Sequence, residues 1–300
     1  MAHEEIGFIG TGAMGLPIAA NLLDAGFKLR VYNRTGAKAE PLAAKGARLV
    51  RNPAETAVAG GIVVSMVADD AALEAIVLGD DTVASRLSPG GIHMAMATVA
   101  PATAHKLARY HRERGSDYVA APVFGRPDNA AKRQLVVCMA GAQAAKARLR
   151  PIAEAVGRVI YDYGEEPGAA NVAKLSGNFL IAAALEAMAE ALTMAEKSGV
   201  DRVKVAEMLG NTLFACPVYQ NYGRMVAEKR HLPAGFRLKL GLKDVDLALR
   251  TSAEVEAPMP IASLLHDRLL SGMANGRGEM DWSALALGAL EDAGLSPKRD

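Results

Sequence analysis

A glycine-rich turn close to the start of the chain limits the folds that the chain can adopt. The turn contains Gly10 and Gly12, which lie between the apolar run Ile6–Ile9 and the alanine-rich stretch Ala13–Ala25, and Gly15, which lies within that stretch. The apolar run is typical of a β-strand and the alanine-rich stretch of an α-helix, so the glycines occupy a strand-to-helix turn. The first glycine permits the tight turn, the second lets the backbone approach a ligand, and the third lets helix and strand pack closely.

Short apolar runs alternate with helical stretches through the first half of the chain. Several runs are almost continuously apolar, which is typical of strands covered on both faces. Strand and helix in alternation predict a mostly parallel, doubly wound sheet. The predicted strands are Ile6–Ile9, Lys28–Tyr32, Ile62–Val67, Ile92–Thr98, Tyr118–Val123, Leu135–Met139 and Val159–Tyr163.

After Gly164 the chain shows helical patterns and almost no strand pattern. A long helix is predicted from about Gly168 to Lys197, and Ser198 and Gly199 form its stop signal. Asp201 is predicted to cap the next helix. Further helices are predicted at about Pro217–Glu228, Leu240–Glu254, Ile261–Met273 and Ser283–Asp292.

This change of pattern predicts two domains. We expect residues 1–164 to form an α/β domain of the Rossmann type, with a doubly wound, mostly parallel sheet. We expect residues 165–300 to form an all-α domain, and the long helix to join the two domains. Residues 297–300 are predicted to be a frayed tail.

The glycine turn and the end of the second predicted strand indicate a dinucleotide cofactor, because a helix N-terminus favours phosphate groups. An enzyme that uses NAD carries Asp or Glu after this strand to bind the ribose 2′-hydroxyl. Here Asn33, Arg34 and Thr35 follow the strand, so no acid repels a 2′-phosphate and Arg34 can pair with one. The sequence therefore predicts NADP, with NAD less favoured. The residues predicted to bind it from the turn are Gly10, Gly12, Ala13, Met14 and Gly15.

Composition and charge narrow the possible function classes. The chain has 300 residues, 51% of them hydrophobic and 22% charged, and a formal net charge of +1. Such a balance predicts no nucleic acid partner and no anionic membrane partner, so a small metabolite is expected. The apolar stretch Leu175–Ala195 contains Glu186 and Glu190, so we predict a buried helix of a soluble protein rather than a membrane span.

Cysteine and histidine usage bears on location and on metal binding. Cys138 and Cys216 lie in apolar surroundings and are predicted to be reduced, buried thiols, as is typical of a cytoplasmic protein. The six histidines show no metal-ligand spacing, so no metal site is predicted. Glu4 and Glu5 occupy positions where a secretion signal carries basic residues, which argues against secretion.

One face of the long helix carries polar side chains. Asn171, Lys174 and Asn178 fall at positions i, i+3 and i+7, and their neighbours are mostly apolar. A lysine on a buried helix is costly unless it is paired or used. Burial generally lowers the pKa of a lysine, which can then exchange protons near neutral pH, and hydride transfer to a carbonyl needs such a proton donor. The alternative is a lysine that reaches solvent at a helix end.

Four motifs in order make the chain resemble the β-hydroxyacid dehydrogenase family over nearly its whole length. They are GFIGTGAMGLPIAANL at the glycine turn, ATVAP at residues 97–101, GAANVAKLSGNF on the long helix, and LKDVDLAL at residues 242–249. The resemblance implies that Lys174 is the general acid and base and that Asn178 orients the substrate. The family includes 3-hydroxyisobutyrate dehydrogenase, tartronate semialdehyde reductase and glyoxylate and succinic semialdehyde reductases.

The resemblance also implies roles for residues outside the helix. Thr98 would lie near the nicotinamide end of the cofactor, and Val67 and Ala68 would flank the cofactor. Lys243 would close over the cofactor or the substrate, and Asp244 would be structural. By the same resemblance we expect a homodimer or a homotetramer.

One motif departs from the family pattern. The family usually has DAPVSGG, whose serine and glycines bind a substrate carboxylate, whereas this chain has AAPVFGRP at residues 120–127. The residues predicted to contact the substrate here are Phe124, Gly125 and Arg126. In one interpretation Arg126 replaces the lost hydroxyl as a carboxylate clamp. In the other, Arg126 faces solvent and Phe124 makes the pocket apolar.

The sequence thus predicts an NADP-dependent oxidoreductase that acts on a small aldehyde, keto acid or β-hydroxyacid. One alternative is an imine reductase, from a related group with the same two-domain plan that generally carries Asp or Tyr in place of the lysine. Lys174 favours a carbonyl or hydroxyacid substrate over an imine. A second alternative is a cofactor-binding module without catalysis, which would have no need of a lysine on a buried helix.

Overall fold

The computed structural model describes residues 4–296, so the predicted tail at residues 297–300 lies outside the described residues. The chain divides into two compact units, one up to Lys174 and one from Leu175 onward. The division falls within a single long helix. The domain boundary after residue 164 stays a prediction.

The first unit is built on two sheets. The larger sheet has six parallel strands in the order β3-β2-β1-β4-β5-β6, and the smaller has three strands in the order β7-β8-β9. The predicted doubly wound, mostly parallel sheet is therefore confirmed. The strands are β1 (Glu5–Ile9), β2 (Lys28–Tyr32), β3 (Arg48–Leu49), β4 (Ile62–Ser65), β5 (Ile92–Ala95), β6 (Asp117–Ala120), β7 (Val123–Phe124), β8 (Leu135–Met139) and β9 (Gly157–Asp162).

Helices separate these strands in the first unit and make up the second. Asp201 caps α9 as predicted, because its carboxylate accepts hydrogen bonds from the backbone N–H groups of Val203 and Lys204. The helices are α1 (Gly15–Asp24), α2 (Glu40–Ala43), α3 (Asp70–Val77), α4 (Val83–Leu87), α5 (Pro101–Arg112), α6 (Pro127–Ala131), α7 (Gln143–Val156), α8 (Ala169–Lys197), α9 (Arg202–Asn211), α10 (Pro217–Ala227), α11 (Leu238–Glu254), α12 (Pro260–Ala274) and α13 (Ala286–Asp292).

Strand ends are where the prediction needs correction. The predicted strand Tyr118–Val123 is in fact divided between β6 and β7 on either side of Pro122, which has no N–H to donate to a ladder. After this break the chain pairs antiparallel with β8, so β7, β8 and β9 form a sheet of their own. Ala120 and Ala140 form an isolated bridge between the two sheets. The two-residue strand β3 is exposed and was not predicted.

The core of the first unit covers both faces of the larger sheet. Phe8 of β1 packs in one apolar cluster with Ile18 and Leu22 of α1, while its neighbour Ile9 packs in the opposite cluster with Leu107 of α5. Successive side chains of a strand point to opposite faces, so both faces of β1 are buried. This explains why the strand sequences are almost continuously apolar.

Helix α8 is the long apolar helix predicted from the sequence. It is long and apolar enough to cross a membrane by length and composition, and half of its most apolar window is buried inside the protein. The carboxylate of Glu186 is buried on this helix and accepts a hydrogen bond from Nε of Arg268 at 2.7 Å. Burial raises the pKa of Glu186, and the Arg268 guanidinium acts in the opposite sense. A buried, paired carboxylate is typical of a core helix in a globular protein.

The two cysteines differ in burial. Cys138 lies on β8 and is buried, as predicted. Cys216 is exposed, so the prediction of a second buried thiol is wrong. Cys216 precedes Pro217 at the N-terminus of α10, and the apolar character of its sequence neighbours does not decide burial at a helix start.

Candidate active site

The glycine turn lies at the carboxyl edge of the larger sheet, between β1 and α1. Gly10 has φ of +95°, and its N–H donates to the carbonyl of Tyr32 at 2.9 Å. A Cβ at Gly10 would come within 2.3 Å of the carbonyl oxygen of Met66, and a Cβ at Gly15 within 1.8 Å of the carbonyl oxygen of Gly10. These contacts require glycine at both positions, because the turn, the helix and the strand meet there without room for a side chain.

The same turn has the features of a phosphate site. A Cβ at Gly12 would meet nothing within 4 Å, so the backbone is open on that side. The hydroxyl of Thr11 is buried and has no hydrogen-bond partner among the described residues. Among residues 4–296, no side chain caps the N-terminus of α1, which begins at Gly15. Ala13 is exposed and Met14 half-buried. These groups fit a dinucleotide pyrophosphate, which would take N–H and O–H donors at a helix N-terminus.

The residues after β2 connect the turn to the edge of the sheet. The side-chain oxygen of Asn33 accepts a hydrogen bond from the N–H of Thr11 at 2.9 Å, and its amide nitrogen donates to the carbonyl of Thr35 at 2.8 Å. Arg34 is exposed and forms no ion pair with the described residues. Asn33 therefore holds the turn, while the Arg34 guanidinium stands open to a ligand.

Val67, Ala68 and Thr98 follow β4 and β5 at the same edge of the sheet. Sequence reasoning missed the residue that holds this region, Asp70 at the start of α3. One Asp70 oxygen accepts hydrogen bonds from the N–H of Ala100 at 2.8 Å and from the hydroxyl of Thr103 at 2.6 Å. The acidic pair that follows β4 in the sequence is the signal that could have pointed to it, because acids are favoured in the first turn of a helix.

Lys174, the predicted general acid and base, lies on α8 and is buried. One turn earlier, the side-chain amide of Asn171 donates to the carbonyl oxygen of Val99 at 3.2 Å, which attaches the start of the helix to the loop that carries Thr98. The ammonium nitrogen of Lys174 lies 4.1 Å from the centroid of the Phe124 ring. The structure therefore brings the predicted catalytic lysine together with a residue of the predicted substrate loop.

Two further polar groups share the surroundings of Lys174 and were not predicted to do so. Burial raises the pKa of the Cys138 thiol, while the nearby Lys174 ammonium and a hydrogen bond with Tyr163 act in the opposite sense. Burial also raises the pKa of the Tyr163 phenol, and the Cys138 thiol adds to that effect. Both groups are therefore neutral near neutral pH.

The substrate loop has a fixed backbone. Gly125 has φ of +137°, and a Cβ there would come within 2.6 Å of a methyl carbon of Leu135. The next residue, Arg126, is the N-cap of α6, and its N–H donates to the side-chain oxygen of Asn129 at 3.0 Å. The Arg126 side chain is half-buried. This backbone places the Phe124 ring at the end of β7.

In the second unit, Asp244 on α11 connects two of the predicted site residues. Its carboxylate is buried, accepts a hydrogen bond from the side-chain amide of Asn178 at 2.5 Å, and lies 3.0 Å from the ammonium of Lys243. The sequence assigned Asp244 no catalytic role, and these contacts fit a residue that positions its neighbours. Among residues 4–296 no group of three or more His, Cys, Asp and Glu side chains is placed to hold a metal ion.

Two family profiles together match most of the chain. Residues 5–164 match the NAD binding domain of 6-phosphogluconate dehydrogenase, and residues 168–287 match the NAD-binding domain of NADP-dependent 3-hydroxyisobutyrate dehydrogenase. The chain belongs to the β-hydroxyacid dehydrogenase family. It is therefore an oxidoreductase with an NAD(P)-binding Rossmann domain.

Relatives of the chain align along nearly its whole length. An uncharacterized oxidoreductase, YfjR, from Bacillus subtilis is 43% identical over 94% of this chain and 98% of its own length. The 2-hydroxy-3-oxopropionate reductase of Escherichia coli is 31% identical over 94% of this chain and 95% of its own. The crystal structure of 3-hydroxyisobutyrate dehydrogenase from Salmonella typhimurium has a TM-score of 0.84 and 26% identity, and covers 95% of this chain and 99% of its own.

The fold is also shared with enzymes of a different chemistry. An imine reductase from Bacillus cereus has a TM-score of 0.63 at 22% identity, and covers 98% of this chain and 100% of its own. At that identity the likeness concerns the fold alone.

Proposed function

We propose that this chain is an NADP-dependent oxidoreductase that transfers a hydride between NADPH and a small aldehyde, keto acid or β-hydroxyacid. The observation that carries the proposal is the buried Lys174 on α8, a helix whose first turn Asn171 attaches to the loop containing Thr98. A buried lysine near the carboxyl edge of a dinucleotide-binding sheet supports the proposal, because such a group can exchange a proton with a substrate carbonyl.

Lys174 is the proposed general acid and base. During reduction its ammonium gives a proton to the carbonyl oxygen as the carbonyl carbon takes up the hydride, and during oxidation its amine takes the proton back. Asn178, one turn further along α8, is proposed to orient the substrate oxygen, and Asp244 fixes its amide. Lys243 is proposed to contact the cofactor or the substrate, and its pairing with Asp244 supports a fixed position.

NADP is the proposed cofactor, and it would supply the hydride. The Thr11 hydroxyl and the open backbone at Gly12 would bind the pyrophosphate, with Ala13, Met14 and the start of α1. Arg34 would bind the 2′-phosphate, because its guanidinium is exposed and no acidic residue stands beside it in the sequence. Val67, Ala68 and Thr98 are proposed to flank the nicotinamide side.

The substrate loop admits two forms of this proposal. If Arg126 binds a substrate carboxylate, keto acids and semialdehyde acids are the substrates. If the Phe124 ring instead makes this side of the pocket apolar, the substrate is a carbonyl compound without a carboxylate at that position. Because Phe124 replaces the serine of the family pattern, imine reduction is a second candidate function. The family assignment and Lys174 disfavour it.

The deciding experiment measures oxidation of NADPH by the purified protein with succinic semialdehyde, tartronate semialdehyde, glyoxylate and a cyclic imine, with NADH in parallel. We expect turnover of a carbonyl acid that is lost in Lys174→Ala and weaker with NADH. Lys197→Ala is the matched control, because Lys197 is exposed at the far end of the same helix. Turnover of the imine alone would move the protein to imine reduction. Tight NADPH binding without turnover, unchanged in Lys174→Ala, would indicate a binding module.

We further propose a cytoplasmic homodimer or homotetramer. Leu180 and Met194 on α8 support self-association, because each is a large apolar side chain with more than half of its surface exposed. Light scattering after gel filtration gives the number of chains. A monomer at micromolar concentration would refute this part of the proposal.

A further inference from the structure

The aromatic ring in the substrate loop lies against the proposed catalytic amine. The centroid of Phe124 is 4.1 Å from Nζ of Lys174, well inside the distance of about 6 Å over which a cation interacts with a ring face. The family pattern places a serine at position 124, and a serine has no such face. This contact belongs to the first unit alone, since Phe124 and Lys174 both lie within it.

The backbone fixes both partners of this contact. Phe124 pairs with Val136 of β8, and Gly125 turns the chain sharply after it. On the other side, Asn171 attaches the first turns of α8 to the carbonyl of Val99. Neither the ring nor the lysine is carried by a long loop, so the contact is part of the folded first unit rather than a chance approach of surface side chains.

The Phe124 ring stabilises the protonated form of Lys174 because the two groups meet in a buried place. Lys174 is buried, and the titratable groups near it include the thiol of Cys138 on β8, which interacts with Lys174, and the phenol of Tyr163 just beyond β9, which is hydrogen-bonded with Cys138. Both are neutral near neutral pH. The negative face of an aromatic ring attracts an ammonium and gives no such stabilisation to a neutral amine.

We propose that Phe124 is a positioning residue that holds the side chain of Lys174 in its protonated form against the ring. The inference rests on the proposed function and goes beyond it, because it explains how the proton donor is kept charged before the substrate arrives. Phe124 thereby favours the reductive direction near neutral pH.

Reduction adds one hydride and one proton to the substrate carbonyl group. The carbonyl carbon gains a hydride from NADPH, the C=O bonding pair moves to oxygen, and that oxygen forms an O–H bond with a proton from Lys174. The N–H bond of the ammonium breaks, which leaves a neutral amine and releases it from the attraction of the Phe124 ring. Uptake of a proton from water restores the ammonium and its contact with the ring.

A titration of the apoprotein tests the contact without any turnover. Protein labelled with ¹³C at the lysine Cε positions gives one resonance per lysine, and Lys174→Arg identifies the one that belongs to Lys174. We expect its titration midpoint to fall by about one pH unit in Phe124→Leu and in Phe124→Met, because a desolvated cation–ring contact is lost. In Phe124→Tyr, which keeps a ring face, we expect the midpoint to stay close to that of the wild type.

The pH profile of turnover gives the second measurement. Reduction needs the ammonium and oxidation needs the amine, so removal of the ring should shift the pH limb of both directions toward lower pH. Cys138→Ala and Tyr163→Phe serve as controls, because both neighbours are neutral near neutral pH and their removal should leave the limb in place. An unchanged titration midpoint in folded Phe124→Leu and Phe124→Met would overturn the inference. Absence of turnover in the wild type, with the expected shift in midpoint, would instead overturn the proposed function.

Discussion

Acid should destabilise the helical second unit through one buried histidine. His231 is 3% exposed, and its Nδ1 lies 2.9 Å from the hydroxyl oxygen of Ser283. Burial lowers the pKa of His231 from 6.5 to about 4, with Asp281 acting in the opposite sense and Arg202 adding to the decrease. Between pH 6.5 and about 4, the imidazole of His231 is therefore mostly neutral in the native state and mostly protonated in the unfolded chain.

The sign and size of the effect follow from this difference in proton binding. Stability is fully present above pH 6.5 and is lost as the pH falls from 6.5 toward 4, because only the unfolded state gains a proton in that window. Each pH unit inside the window costs about 1.4 kcal/mol, so a change from pH 7 to pH 5 should lower the free energy of unfolding by about 2 kcal/mol through His231.

The fluorescence of Trp282 reports on this unit. Trp282 is the single tryptophan of the chain, is buried, and packs against Phe236 with ring centroids 4.8 Å apart. We would measure urea unfolding by this signal across the pH window for the wild type and for His231→Asn, whose amide can reach Ser283 but does not titrate. The half-buried His266 provides the control, His266→Gln. The reasoning is refuted if the pH slope of His231→Asn equals that of the wild type.

Three further substitutions test the proposed site. Arg34→Ser should raise the KM for NADPH about tenfold or more and leave the KM for NADH nearly unchanged, because a charge-assisted contact with the 2′-phosphate is lost. Steady-state kinetics measures both values, and equal effects on the two cofactors would contradict this prediction. Asn171→Leu should lower kcat and cost about 1–3 kcal/mol of stability in thermal unfolding, since the carbonyl of Val99 loses its donor. A variant with the kcat and the melting temperature of the wild type would refute this prediction. Asp244→Asn should lower kcat more than it changes KM for NADPH, because the pairing that holds Lys243 is weakened; unchanged kcat would exclude a positioning role.

Local signals explain what could be predicted from the sequence. The strand Lys28–Tyr32 was predicted with its observed bounds, and the long helix predicted from Gly168 to Lys197 begins at Ala169 and ends at Lys197. Apolar residues at alternate positions, Leu29 and Val31, indicate the strand, and a Ser-Gly stop ends the helix, so both are decided by residues within a few positions. The glycine turn is similarly local, since the contacts that require Gly10 and Gly15 lie within the β1–α1 unit and at Met66, just after the adjacent strand.

Pairings between distant segments explain what could not be predicted. The separate sheet of β7, β8 and β9 depends on the break at Pro122 and on antiparallel pairing with a strand that follows a helix. Periodicity identifies a strand but does not state its neighbour. The bond between Asn178 and Asp244 joins two different helices, so the sequence suggested a role for each residue without indicating that one fixes the other.

The substitution at position 124 shows how a departure from a family pattern changes meaning once the contacts are visible. From the sequence, Phe124 removes a hydroxyl donor and adds apolar surface, which concerns only the substrate. In the structure the same ring faces the ammonium of Lys174, so it also concerns the proton donor. A substitution of Phe124 therefore changes the substrate contact and the contact with Lys174 together. Phe124→Ser would supply a hydroxyl donor for a substrate carboxylate and would at the same time remove the ring face that holds the lysine. Substrate preference and the pH range of reduction are therefore expected to change together along any series of substitutions at Phe124.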